Sequence, residues 1–307
     1  MVVPSRGRAE RLRLLLGDLA AQTLKRERFE VIVVHDYPEE ELPAAGAGVR
    51  FVHSPAAPQG DAAHRRNLGW RTARAPLIAF TDDDCRPEPG WLAALLGAAR
   101  AHPGAIVQGS IRPDPREADV LRAPIVRTLT QTPPHWHAQT ANVLYEREML
   151  ERLGGLDERL DAGEDVDLAA RARAAGAPLV PAPDALVHHE VRAMSALELV
   201  RENRRWESLV LVVKHNPELR RFLPLRAFWS LDHLYAVLAA AGVLAAPRRP
   251  TALALCVPFY ALERKRHGTR LGDRLLALRQ MPVRCAVRLA EVGTFARGSL
   301  RHRTLVL

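Results

Sequence analysis

Three adjacent carboxylates follow an apolar run in the first third of the chain. Residues 77–81 form an uncharged, strand-like segment that ends directly on Asp82, Asp83 and Asp84. These acids repel one another, so a cation is expected to compensate them. Hard oxygen ligands suit Mg²⁺ or Mn²⁺, and Mg²⁺ typically binds through one or two carboxylates together with substrate phosphates. The alternative is an acidic turn that caps the following helix.

A second acidic pair, Glu164 and Asp165, opens a predicted helix over residues 164–175. Acids are common at helix starts because the helix dipole favours them there, so the pair alone is weak evidence for a site. It gains weight from a Gly-Gly-Leu-Asp run at 154–157 and from Arg171 and Gly176, which follow it.

Alternating strands and helices are expected to position these acids. Strands are predicted at 29–35, 49–53, 77–81, 105–109 and 140–145, and helices at 12–19, 61–73, 89–101, 147–153 and 164–175. Such alternation predicts an α/β fold with a mainly parallel sheet that is covered by helices on both faces. Ligands bind outside the carboxyl ends of such strands, where the Asp triplet lies. Residues 113–136 are predicted to form a long loop or loosely helical segment over the site.

Six short motifs, in order over roughly the first 190 residues, together resemble the family 2 glycosyltransferases with the GT-A fold. They are Val3-Pro4-Ser5-Arg6-Gly7-Arg8, His35-Asp36, Arg65-Arg66-Asn67-Leu68-Gly69, Asp82-x-Asp84, Asn142 with Gly154-Gly155 and Glu164-Asp165, and Pro183-x-Ala185-x-Val187-x-His189. The resemblance implies a Rossmann-like, mainly parallel sheet flanked by helices, with a helical C-terminal appendage. His35 departs from the pattern, because the family usually has an Asp there.

The resemblance also implies roles for individual residues. The donor nucleotide sugar would contact Pro4, Ser5, Arg6, Asp36, Arg66, Asn67, Asp82 and Asp83. A Mg²⁺ or Mn²⁺ ion would be held by Asp82, Asp84 and His189, with the adjacent His188 as an alternative to His189.

Asp165 would be the general base of an inverting single displacement, and Glu164 would orient Asp165 or the acceptor. The segment Glu202-Asn203-Arg204-Arg205-Trp206 is similar to the Gln-x-x-Arg-Trp of processive members, so Arg205 and Trp206 would bind the acceptor. The Glu in place of Gln leaves processivity open. An Arg-rich helix with one buried Trp is the structural alternative.

Charge divides the chain in two. Residues 1–190 carry 23 Lys and Arg against 27 Asp and Glu, whereas residues 191–307 carry 21 against 8. We therefore predict a catalytic domain at 1–192 and a helical, basic region at 193–307. Two apolar runs in that region, 234–246 and 251–262, are shorter than the ~20 residues of a membrane-spanning helix. They predict a helical hairpin that either packs on the catalytic domain or makes peripheral contact with anionic lipid headgroups.

Further features limit location and partners. Cys85, Cys256 and Cys285 are widely spaced, and no signal peptide precedes the first motif, which fits the cytoplasm or the inner face of the cell membrane. No nucleic-acid-binding motif accompanies the basic charge, so no nucleic-acid partner is expected.

The predicted function is hexosyl transfer from a nucleotide-sugar donor to a saccharide or lipid-linked acceptor, as in cell-envelope polysaccharide synthesis. A sugar-phosphate nucleotidyltransferase is one alternative, but it would need a Gly-rich phosphate loop, and the opening loop has one Gly. A non-catalytic nucleotide-sugar binding protein is the other, and it predicts loss of the acids that are present here.

Overall fold

A computed structural model describes residues 1–44, 46–55, 57, 59–267 and 271–307. The described chain divides into two compact units. The first contains Met1–Ala118 and Thr128–Val191, and the second contains Asp119–Arg127 and Arg192–Leu307.

The first unit is built on a twisted, mixed sheet. Its strands are β1 (Val2–Ser5), β2 (Val31–His35), β3 (Val49–His53), β4 (Leu77–Phe80), β5 (Cys85–Pro87), β6 (Ile106–Pro113), β8 (Val143–Glu146) and β9 (Leu179–His189). In the part of the chain that is described, these eight strands lie in the order β3-β2-β1-β4-β8-β6-β9-β5. The first four are parallel, and β6 is parallel to β9. Strand β8 runs against both of its neighbours.

In the described ranges of this unit, five helices cover the sheet: α1 (Ala9–Ala20), α2 (Asp61–Thr72), α3 (Trp91–Ala101), α4 (Arg147–Leu153) and α5 (Glu164–Ala174). The two faces carry separate apolar cores, because successive residues of a strand point to opposite faces. Val31 and Val33 of β2 pack in the core that holds Leu12 and Leu15 of α1, whereas Ile32 packs in the other core. The predicted α/β architecture, with helices on both faces of the sheet, is confirmed.

Strand β5 is a feature that apolar periodicity did not predict. It begins directly after the Asp triplet and runs antiparallel to the end of β9, where Cys85 is paired with His189. The backbone N–H of Cys85 donates to the carbonyl of Asp82 over 3.1 Å, which closes a tight turn. The turn and the pairing together bring the triplet beside the last residue of β9.

The second unit is helical. Its elements are α6 (Ala196–Glu202), α7 (Glu207–His215), α8 (Leu231–Ala245), α9 (Val257–His267), α10 (Leu271–His302) and a two-residue ladder of β7 (Val126–Arg127) with β10 (Arg192–Ala193). The helical C-terminal region expected from the sequence is therefore present. No helix in the described ranges combines the length and apolarity needed to cross a membrane.

The segment Asp119–Arg127 was expected to belong to a loop over the site, but it lies in the helical unit. The guanidinium of Arg284 donates to the carbonyls of Ala123 and Pro124, and Met194 N–H donates to Ile125. These hydrogen bonds join the backbone of the segment to the helical unit.

Gly109 of β6 is expected to tolerate no side chain. A Cβ at this position would lie 2.3 Å from the carbonyl oxygen of Ala185 and 2.3 Å from Nδ2 of Asn142. Gly109→Ala should therefore lower the free energy of unfolding by about 1–3 kcal/mol, as measured by urea denaturation. Gly97→Ala, in helix α3 with open space around it, is the matched control. It should raise stability by about 0.5–1 kcal/mol, and equal losses in both variants would contradict the packing account.

Candidate active site

The Arg66 guanidinium joins the two acidic motifs. Its Nη2 donates to Oδ1 of Asp82 over 2.6 Å, and its Nη1 donates to Oε1 of Glu164 over 2.7 Å. Arg66 is only 5% exposed and Glu164 only 8%. A charge-assisted bridge withdrawn from water in this way is strong and directional, so α2 fixes the end of β4 against the start of α5.

Arg8, which directly precedes α1, compensates the other two acids of the triplet. Its guanidinium forms ion pairs with Asp83 through Nη2 and with Asp84 through Nη1. The cation that the triplet requires is thus supplied, in the described structure, by Arg8 and Arg66 of the chain itself. Arg8 belongs to the predicted opening loop, but no pattern in the sequence assigns it to the acids.

A relay of hydrogen bonds fastens the opening loop. The backbone N–H of Arg8 donates to the Tyr37 hydroxyl over 2.7 Å, and Ser5 Oγ lies 2.8 Å from that hydroxyl. Ser5 donates its single proton to Oδ2 of Asp83 over 2.7 Å, so Tyr37 must donate to Ser5. Burial raises the pKa of Asp83 to about 7, although Arg8 and Ser5 oppose that rise.

This relay changes the interpretation of two predicted donor contacts. Ser5 and Asp83 are almost completely buried, and the polar atoms of each are bonded to the other and to the opening loop. Their side chains therefore shape the site from beneath and do not line it. Pro4, by contrast, is partly exposed in β1.

Asp36, at the end of β2, lies among basic groups at a more open position. The buried Arg65 guanidinium reaches Asp36 over 3.2 Å, Asp61 over 3.0 Å and the Ser54 carbonyl over 3.1 Å. The largely exposed Arg6 lies 3.5 Å from Asp36. The predicted donor contacts Arg6 and Asp36 are thus adjacent, and Arg65 orients the carboxylate.

Asn67 has a structural role. All of its hydrogen-bonding positions are used within the protein, so none is left to bind the donor nucleotide sugar. Its Nδ2 donates to the Leu156 carbonyl and to Glu158, while its Oδ1 accepts from Trp70 Nε1 and from the Leu156 N–H. These four bonds use every hydrogen-bonding position of a primary amide. The predicted role of Asn67 in direct donor binding is therefore corrected to one of anchoring the loop before α5. Gly155 makes this possible, because a Cβ there would lie 2.4 Å from Oδ1 of Asn67.

The acidic pair occupies the first turn of α5. Gly163 adopts a φ of +86° at the N-cap, which favours glycine and turns the chain into the helix. Glu164 is turned inward to Arg66, whereas Asp165 is half-buried and accepts a 2.8 Å hydrogen bond from the Val166 N–H. Burial and the neighbouring Glu164 raise the pKa of Asp165 to about 7, and Arg66 opposes the rise.

Asp84 and His189 face each other where β5 pairs with β9. Oδ1 of Asp84 lies 3.5 Å from Nε2 of His189 and is buried without a hydrogen-bond partner. His189 Nδ1 lies 2.8 Å from the Glu190 carbonyl and donates to it, so Nε2 is the ring nitrogen that faces Asp84. Burial alone would raise the pKa of Asp84, but His189 and Arg8 outweigh it and hold that pKa below its ordinary value.

The predicted metal ligands are only partly brought together. Among the described side chains, no group of three His, Cys, Asp or Glu is arranged to hold a metal ion. Asp82 is held by Arg66 instead of joining Asp84 and His189. His188 points to the opposite face of β9, where its Nε2 lies 2.7 Å from Glu88, so it is removed as an alternative ligand.

The predicted acceptor residues lie in the helical unit. Arg205 is exposed, whereas the Trp206 ring packs against His233 and Phe295, with ring centroids 6.5 and 6.2 Å away. Glu202, which replaces the Gln of the processive pattern, forms ion pairs with Arg127 and Arg192. Trp206 thus packs in an aromatic cluster of its own unit.

Removing the Arg66 bridge should be costly. Arg66→Met would leave Asp82 and Glu164 without their cation, so the free energy of unfolding should fall by about 3–5 kcal/mol in urea titrations. Arg159→Met is the control, because Arg159 is exposed and pairs with Asp157 at the surface. It should change stability little, and a similar loss in both variants would contradict a central role for Arg66.

The chain is similar in sequence to known proteins. The sequence profile described as glycosyl transferase family 2 matches residues 1–154, which is half of the chain. A pre-mycofactocin glycosyltransferase of Mycobacterium tuberculosis is 30% identical over 217 residues, covering 62% of this chain and 42% of that protein. The succinoglycan biosynthesis protein ExoM of Rhizobium meliloti is 29% identical over 196 residues, covering 57% of this chain and 62% of that protein. The chain thus spans less than two thirds of the length of either relative.

Solved structures show the same fold. The mannosyltransferase PcManGT of Pyrobaculum calidifontis, in complex with GDP-Man and Mn²⁺, superposes with a TM-score of 0.56 at 19% identity, covering 96% of this chain and 86% of that one. TarS 1-349 of S. aureus, in complex with UDP-GlcNAc, gives 0.51 at 13% identity, covering 99% and 91%. The GT-A fold expected from the sequence is confirmed, and the chain belongs to glycosyl transferase family 2.

Proposed function

We propose that the chain transfers a sugar from a nucleotide-diphosphate-sugar donor to a hydroxyl group of a saccharide or lipid-linked acceptor. Family membership supports sugar transfer, and one observation carries the proposal to this site. The Arg66 guanidinium couples Asp82, at the end of β4, to the Glu164–Asp165 pair. A group that contacts the donor and a group that activates the acceptor are thereby held in one rigid frame.

On the donor side, Arg6 and Asp36 are the accessible pair. Arg6 is largely exposed and Asp36 partly so, and both lie at the carboxyl ends of parallel strands, where α/β folds bind ligands. Asp36 would accept hydrogen bonds from the nucleoside, and Arg6 would bind a phosphate or the base. Arg66 is only 5% exposed, so it would act on the donor through its charge.

A divalent ion is proposed at Asp84 and His189. Oδ1 of Asp84 has no hydrogen-bond partner, and Nε2 of His189 faces it. The bond from Nδ1 to a backbone carbonyl is the support that metal-binding histidines usually have. Two protein ligands suffice for Mg²⁺ or Mn²⁺ when a diphosphate supplies others. Once bound, the ion would stabilise the negative charge of the departing nucleoside diphosphate.

On the acceptor side, Asp165 would accept the proton of the attacking hydroxyl. A base with a pKa near 7 balances the ionised fraction against proton affinity, and Asp165 meets that condition through burial and the proximity of Glu164. Attack opposite the leaving group forms the new glycosidic bond as the bond to the diphosphate breaks, so the anomeric configuration inverts. Glu164 keeps Asp165 in place through its bond to Arg66, and Arg205 and Trp206 remain proposed acceptor contacts.

Asp165→Asn should reduce kcat by about 10²–10⁴-fold and leave donor affinity nearly unchanged, because the amide cannot accept the proton. Sugar transfer and donor binding would be measured separately, by product assay and by calorimetry. Asp184→Asn, an exposed acid on β9, is the control and should retain full activity. Equal loss of donor binding and turnover in Asp165→Asn would contradict its role as a base.

The same assignment predicts a pH profile. Only the ionised carboxylate can accept a proton, so kcat/KM should rise with pH and level off above about 7, where Asp165 has lost its proton. An activity that falls as pH rises from 6 to 8 would assign the essential group as an acid instead.

Metal binding can be tested with the two adjacent histidines. Mn²⁺ together with a nucleoside diphosphate should raise the melting temperature of the wild-type protein, since ligands that bind the native state stabilise it. His189→Ala should weaken Mn²⁺ affinity by about tenfold or more. His188→Ala, on the other face of β9, should not. If both variants keep the metal-dependent shift, Asp84 and His189 do not form the site.

A screen of nucleotides and nucleotide sugars with and without Mn²⁺ would name the donor. A metal-dependent shift by one nucleoside-diphosphate sugar supports transfer. If no nucleotide shifts the melting temperature, the chain is better described as a non-catalytic member of its family.

A further inference from the structure

The tip of the helical hairpin, residues 243–257, exposes an apolar surface. This hairpin tip joins the end of α8 to the start of α9 and includes the 3₁₀ turn Pro250–Cys256. Val243 and Leu244 at the end of α8 are 58% and 77% exposed, and three more apolar side chains are exposed on the returning segment, namely Leu253, Leu255 and Val257.

Packing between the inward-facing residues of its two arms holds the hairpin tip in place. Gly242 of α8 packs directly on the returning segment, because a Cβ there would lie 2.6 Å from the Ala252 carbonyl oxygen. Farther along, Phe259 is fully buried with Ala236 and Ala239 of α8. The inner side chains thus hold the two arms together, and the exposed apolar side chains are left over from this packing. Their exposure cannot be relieved by closing the hairpin, since that contact is already made.

The charged residues of the hairpin tip are all basic. Arg248 and Arg249 lie at the turn and are exposed, and the sequence from His233 to Leu262 contains no Asp or Glu. Elsewhere in this unit, arginines form internal ion pairs, such as Arg284 with Glu263 and Arg288 with Glu291. A hairpin whose exposed apolar side chains are accompanied along the chain by arginines and by no acid matches the boundary between acyl chains and anionic headgroups.

We propose that the hairpin tip binds the surface of an anionic lipid bilayer. The five apolar side chains would enter the boundary between headgroups and acyl chains, and Arg248 and Arg249 would contact the phosphates. Each arm is too short to span a bilayer, so the contact would be peripheral and reversible. This inference goes beyond the proposed function and does not depend on it, because it concerns a different unit and a different ligand.

The test uses the full chain in co-sedimentation with vesicles. Wild-type protein should sediment with vesicles that contain phosphatidylglycerol and stay in solution with pure phosphatidylcholine, and added salt should weaken the binding. The double variant Leu244→Glu/Leu253→Glu should bind about tenfold more weakly or worse, since two buried apolar contacts are lost. Arg248→Gln and Arg249→Gln should each weaken binding about fivefold.

Leu300→Glu is the matched control, because Leu300 is 82% exposed in α10 of the same unit. It should bind vesicles like the wild type, and thermal melting should show that all variants are folded. Binding that is insensitive to lipid charge, absent in the wild type, or equally reduced by Leu300→Glu would overturn the proposal. So would a wild-type oligomer, measured by light scattering, that Leu244→Glu/Leu253→Glu dissociates without affecting vesicle binding, because the surface would then join copies of the chain.

Discussion

Carboxylates that gather at the end of a buried strand can coexist only if cations are held among them. Here two guanidinium groups meet that requirement: Arg8 pairs with Asp83 and Asp84, and Arg66 pairs with Asp82 and Glu164. Arginine suits this task because its planar group stays charged and can serve two acceptors at once. The positions of the opening loop, the Asp triplet and the first turn of α5 all depend on these two side chains.

Helix α2 is the element whose side chains hold the separate parts of the site in place. Its consecutive residues point in directions about 100° apart, so three neighbours can serve three different parts of the site. Arg65 reaches Asp36 beyond β2, Arg66 reaches the two acidic motifs, and Asn67 holds the loop that precedes α5. The Arg-Arg-Asn run therefore has a mainly structural role: it positions other groups of the site. Of the groups that remain accessible, Asp36 is held by Arg65, and Asp165 follows Glu164, which Arg66 holds.

The helical unit uses its charge in two ways. Glu291 is fully buried and receives hydrogen bonds or ion pairs from Asn203, His233 and Arg288, so part of the basic character serves internal packing. The arginines of the hairpin tip are exposed beside apolar side chains. A high net charge alone does not distinguish these uses, because it records how many cations there are and not which acids they meet.

The sequence by itself determined the architecture and the identity of the acids. Apolar periodicity predicted the parallel strands and their covering helices, because the burial of apolar faces is a local pattern with long-range consequences. The order of six motifs indicated the family, and the Asp triplet and Glu164–Asp165 were recognised as the chemical groups.

Which of those groups remain available was decided by tertiary structure alone. Ser5, Asn67 and Asp83 were expected to contact the donor, but their polar atoms are used within the protein. Arg8 and Tyr37 carried no signal of their own, and β5 was too short to show a period. Hydrogen-bond partners and burial arise from contacts between residues far apart in the chain. A residue type and its spacing therefore predict what a side chain can do, and the folded neighbours decide whether it is free to do it.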